Sequence, residues 1–128
     1  MIHAAVARWR QTRFELDAAF VLRPEPALVV KRSDESIRAC LRILFAVNRE
    51  WEPDLRKWIR RWADTLTVKP DRLADRIYAI YGQPLAHESH AALLALIADT
   101  VALVPLEFDL EDVTVIVETA RIRWEAQR

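Results

Sequence analysis

The sequence predicts an all-α fold, an up-and-down bundle of about five to six helices around a central apolar helix, and three observations carry that reading. Gly82 is the only glycine among 128 residues, whereas hairpins, bulges and phosphate-cradling loops need residues that tolerate positive φ. Apolar side chains recur at three- and four-residue spacing along most of the chain, the period of one helix face. Hydrophobic residues make up 52% and charged residues 30%, which supplies both a core and a solvated exterior and excludes the composition of a disordered chain. A chain of this length can bury well over half of its unfolded surface in one domain, so residues 1–128 are read as a single unit.

From about Ile2 to Leu22, Val6, Trp9, Arg13, Leu16 and Phe20 share one side of an amphipathic helix, with Arg10, Arg13 and Asp17 spaced to interact along it. Arg23-Pro24-Glu25-Pro26 breaks it, because proline cannot donate a backbone hydrogen bond and disfavours helix in the residue before it. Ala27 to Arg32 reads as a short helical turn. Ser33 then offers a hydroxyl cap to a helix whose stripe runs through Ile37, Leu41, Leu44, Asn48 and Trp51, with Asp34 and Glu35 at its positive end.

Glu52-Pro53-Asp54 ends that helix and caps the next, in which Leu55, Trp58, Ile59, Trp62 and Leu66 form the apolar face and Arg56, Lys57, Arg60 and Arg61 cover the rest. Pro70-Asp71 starts another, with Leu73, Ile77, Ile80 and Tyr81 inward and Gly82 and Pro84 ending it. The segment from about Glu88 to Val104 is apolar nearly all round and is therefore expected at the centre, covered by neighbours on most sides. Pro105 stops it and Asp109 can cap a last helix through Val113, Val117, Ala120 and Trp124. The β-branched run Val113 to Val117 could form a strand instead; helix is preferred because no second strand exists to pair with it.

Charge is uneven although the net charge is zero. Arg38 to Trp62 holds seven basic and three acidic residues, while Ala86 to Ala120 holds seven acidic residues and neither lysine nor arginine. The surface is expected to be dipolar. Cys40 is the single cysteine, which excludes an intrachain disulfide and a thiolate zinc cluster and fits a cytoplasmic location. The longest weakly charged run, Ser89 to Pro105, is too short for a membrane span.

Each chemical constellation has a plainer counterpart. His87, Glu88 and His90 share helical spacing, yet no third ligand accompanies the imidazoles, so no metal or other cofactor is expected. Cys40 lies on a core-facing stripe, where cysteine behaves as a small hydrophobe. Trp51, Trp58 and Trp62 among basic residues resemble a nucleic-acid surface, but their spacing places them on apolar faces as core anchors, so nucleic acid is not the expected partner. Asn48 and Asp99 interrupt apolar helices, and if buried each needs a partner. For Asp99 an arginine at the core edge is favoured over a ligand cleft.

The stretch Arg38-Ala-Cys-Leu-Arg-Ile-Leu-Phe-Ala-Val-Asn-Arg-Glu-Trp-Glu-Pro-Asp-Leu-Arg-Lys-Trp-Ile, ending at Ile59, resembles the C-terminal helical domain of bacterial polymerase-β-type nucleotidyltransferases, which carry a similar LFALNR-x-W-x-P…KW pattern. Leu28-Val-Val-Lys-Arg32, Pro70-Asp-Arg-Leu73 and Ser89-His-Ala-Ala-Leu93 extend the likeness over roughly Ala27 to Leu106. The resemblance implies a bundle packed beside a catalytic domain with substrate held between them. The matched positions are Asn48, Arg49, Trp51, Pro53, Lys57 and Trp58. Lys57, beside an aromatic residue, is suited to steer an anionic substrate. The Gly-Ser turn and Asp-x-Asp pair of the catalytic half are missing, so the chain is expected to be non-catalytic alone.

These readings lead to a non-catalytic helical domain that supplies substrate contacts, or a dimer surface, to a nucleotidyltransferase catalytic chain, with a homo-oligomer, a dimer, expected and Asn48, Arg49, Lys57, Trp58 and Asp99 as candidate contacts. A homodimeric helical scaffold or regulator without a small-molecule substrate is the alternative. A helical ribonuclease of the toxin type is disfavoured, because neither His87 nor His90 follows an arginine at the required four to six residues.

Overall fold

In the computed structural model, residues 25–51, 53, 58–105 and 111–126 are described, and among them every regular element is an α-helix. The expected helix from Ile2 to Leu22 lies outside the described residues, as do Leu55 and the cap positions Asp54 and Asp109.

The first described helix, α1 (Pro26–Val47), starts with Pro26 in its first turn after an extended Glu25, a position where the missing N–H costs nothing. The short turn expected at Ala27 to Arg32, with Ser33 capping a separate helix, is corrected: one helix runs through. Ser33 is buried rather than capping, and ion pairs Arg32–Glu35 (3.1 Å) and Asp34–Arg38 (3.0 Å) stitch the turns on either side of it.

The stripe expected to reach Trp51 is also corrected, because α1 stops at Val47. The Arg49 N–H donates to the Ala46 carbonyl and the Glu50 N–H to the Phe45 carbonyl. This is the Schellman closure, with Arg49 at φ 58° in the position usually held by glycine.

Helix α2 (Ile59–Thr65) follows a left-handed Trp58 at φ 65°. Trp58 is therefore not on the apolar face assigned to it; Ala63 and Leu66 are buried, and Ile59 and Trp62 pack beside them. Helix α3 (Leu73–Gly82) begins after Arg72 at φ 57° and buries Leu73, Ala74, Ile77 and Ile80. Among the described residues all three positive-φ positions thus carry large side chains, while Gly82 stays helical. Scarcity of glycine did not exclude left-handed turns; it placed their conformational cost on arginine and tryptophan.

Helix α4 (His87–Ala102) is central, packing against α1, α3 and the last helix, α5 (Glu111–Ala126). Leu93, Leu94, Leu96 and Ile97 are fully buried, and its exposed residues are His87, Glu88, Ala91, Ala95, Ala98, Asp99 and Ala102. The Val113 to Val117 run is helical, with Val117 buried; the side chains of Val113, Ala120 and Trp124 lie outside the description. The core joins Ile37, Leu41, Ile43 and Leu44 of α1 to Ile77 and Ile80 of α3 and the leucines of α4. Each such side chain stabilises the fold by about 1.5–3 kcal/mol relative to exposure.

Candidate functional site

The ends of α1 and α2 place the candidate residues. Asn48 sits immediately past α1 and turns its amide onto the loop before α3. Its Nδ2 donates to the Leu44 carbonyl (2.7 Å) and the Val68 carbonyl (2.7 Å), and its Oδ1 accepts from the Thr67 N–H (3.1 Å) and the Val68 N–H (2.8 Å). An asparagine amide offers two donors and one two-lone-pair acceptor. Its capacity is spent on backbone, so Asn48 fastens a loop. Arg49, beside it, is exposed on the Schellman turn.

Trp51 is 84% exposed and Trp58 61%. The core-anchor reading of these two rings is corrected: α1 ends before it reaches Trp51, and the left-handed backbone at Trp58 takes that residue off the helical spacing it would share with Trp62. Trp62 alone of the three packs against the core. Lys57 lies outside the described residues.

Next to Trp58, the Arg60 N–H donates to the Tyr78 hydroxyl (3.3 Å), and the Arg60 guanidinium lies 5.3 Å from the Tyr78 ring centre while donating to Asp75 (2.7 Å). That bond, first among the causes, lowers the Asp75 pKa and raises that of Arg60. Arg61 lies 5.7 Å over the Trp62 ring, a favourable cation–π distance. Tyr78 is itself exposed. The arrangement gathers arginine, tryptophan and tyrosine on the outside of α2 and α3, with Asp64 and Asp75 among them.

An open cleft of about 200 Å³ lies between α2 and α3, lined by Arg60, Asp64, Lys69, Arg72, Leu73, Ala74 and Asp75. None of the described residues picked from sequence, Asn48, Arg49, Trp58 or Asp99, lines it. Asp99 instead pairs with Arg76 at 2.8 Å on the outer side of α4, the structural partnership favoured for it. Sequence reasoning missed Lys69 and Arg72; the signal was two basic residues flanking the Pro70-Asp71 turn. It also passed over Tyr78, whose position between inward Ile77 and Ile80 marks it as outward.

Elsewhere the titratable groups serve the fold. Burial pushes the Cys40 thiol up to about 12, leaving no thiolate for nucleophilic chemistry. His90 is buried at the start of α4, and burial, then the neighbouring His87, hold its pKa down at about 4. Among the described residues no three His, Cys, Asp or Glu side chains gather as a metal set. The Tyr81 hydroxyl donates to Asp34 (2.6 Å), which also accepts from Arg38, tying α3 to α1. No described helix is long and apolar enough to cross a membrane.

No protein-family model, curated protein or solved structure matches the chain.

Proposed function

We propose that the chain is a non-catalytic helical binding domain that docks a protein partner through the face formed by Trp51, Trp58, Arg60, Arg61 and Tyr78. The partner implied by the sequence resemblance is a nucleotidyltransferase catalytic chain. The observation that carries the proposal is the exposure of two tryptophans, at 84% and 61%, the second of them two residues before Arg60, which lies against exposed Tyr78. Tryptophan, tyrosine and arginine are the residues enriched at interface hot spots. The Asp64 carboxylate and the Arg60–Asp75 ion pair within the same face give it mixed charge, which suits a protein surface better than an extended polyanion.

The test is isothermal titration of the chain with a transferase catalytic chain from the same genome. The proposal expects a stoichiometric complex that Trp51→Ala and Trp58→Ala each weaken by about 2 kcal/mol, as hot-spot truncations do. No complex with any such chain, or undiminished binding by both variants, would refute it.

A second reading, the homodimeric scaffold, is favoured by Val115 and Ile122 on α5, seven residues apart and 58% and 56% exposed. Light scattering decides it: a dimer abolished by Ile122→Asp supports the scaffold, and a monomer at all concentrations removes it.

A further inference from the structure

We propose that the cleft between α2 and α3 is a pocket for a phosphate group, with Arg60, Lys69 and Arg72 as its donors. Three cationic side chains line one cavity of about 200 Å³, several times the roughly 30 Å³ share of a single water. Two of them are already positioned. The Arg60 guanidinium is held by Asp75 at 2.7 Å and by the Tyr78 ring, and that bond uses one of its five N–H donors. The Lys69 ammonium donates to the Ala63 carbonyl (3.1 Å) and the Asp64 carbonyl (3.4 Å) at the end of α2, which occupies two of its three protons. Arg72, exposed on the turn into α3, supplies the third cation.

Fixing two of the donors beforehand lowers the ordering cost of binding. A phosphate suits the set because arginine presents a planar fork and lysine a point charge to its several oxygens. Asp75 is neutralised by Arg60, whereas the Asp64 carboxylate opposes an incoming anion. That opposition gives the pocket a variant of each sign. The pocket borders the proposed partner face and shares Arg60, Asp64 and Asp75 with it, while Trp51, Trp58, Arg61 and Tyr78 do not line it.

Amide chemical shifts are followed by NMR while inorganic phosphate, and in parallel ribose 5-phosphate, is titrated at constant ionic strength against chloride. Saturable shifts centred on residues 60–75 are expected. Arg72→Gln, which leaves the Lys69 and Arg60 contacts in place, should weaken binding roughly tenfold, the scale of one charge-assisted contact. Asp64→Asn should tighten it roughly threefold by removing the repulsion. Equal affinities for the two probes identify the free ion as ligand, and tighter binding of the ester identifies a phosphorylated small molecule; either supports the pocket. Shifts that chloride reproduces, or affinities unchanged in both variants, would overturn it.

Discussion

Asn48 fastens the loop before α3 to the end of α1 through its side-chain amide. Its place in an apolar stripe marked it as a polar group in need of partners, and the likeness to transferase domains offered it as a substrate contact. The partners turn out to be backbone groups of Leu44, Thr67 and Val68. Four hydrogen bonds at roughly 0.5–1.5 kcal/mol each, less what water restores at this half-exposed site, predict that Asn48→Ala costs about 2–3 kcal/mol in urea unfolding. A loss under about 0.5 kcal/mol would mean that the loop does not depend on this amide. Its neighbour predicts the opposite sign. Arg49 holds φ 58°, a region that disfavours side chains by roughly 1–2 kcal/mol. Part of this relief is offset by the greater freedom of unfolded glycine, so Arg49→Gly should raise stability by about 0.5–1 kcal/mol. A fall in the unfolding midpoint would show that the arginine side chain contributes contacts that outweigh its backbone cost.

At the scale of elements, helix positions were legible wherever burial dictates spacing. Leu93, Leu94, Leu96 and Ile97 marked α4 as central because no single apolar stripe could account for them, and the structure packs three helices against it. Boundaries were less legible, since they depend on local competition. Ser33 and Asp34 have the residue types of a helix start, yet they lie inside α1, where ion pairs link the turns on either side of them. Trp58 and Trp62 had helical spacing, but a single left-handed residue exposed the first ring. Only distant contacts could reveal that choice.

The start of α4 also carries a pH dependence. His90 has a folded pKa of about 4 against 6.5 when unfolded. Between these values the unfolded chain binds the extra proton, so stability rises with pH through that window and this contribution is lost as pH falls from 6.5 to 4. The expected loss is on the order of 2–3 kcal/mol. It is measured as the difference in pH slope between the parent chain and His90→Gln, and parallel slopes would rule out a neutral buried imidazole as the cause.

Among the described residues, α1, α3 and α5 bury their apolar faces against α4, α2 packs on α3, and Arg49, Trp51 and Trp58 between α1 and α2 are left exposed. Exposed Arg49, Arg60, Arg61 and Arg72 around α2 and α3 stand among exposed Glu50, Asp64, Asp71 and Asp75, so the described surface there is mixed in charge. Stability needs the first arrangement; the second contributes little to it, because exposed rings and surface ion pairs are worth little in water. That separation is the ground for the proposal that function lies on this surface. It is tested most directly by ¹⁹F NMR of the chain labelled with 5-fluorotryptophan, the resonances assigned by single Trp→Phe substitutions. A soluble paramagnetic probe should broaden Trp51 and Trp58 well before Trp62 in the isolated chain, and adding the transferase catalytic chain should protect both. Equal protection of all three rings in isolation, or rings equally accessible after mixing, would contradict the account.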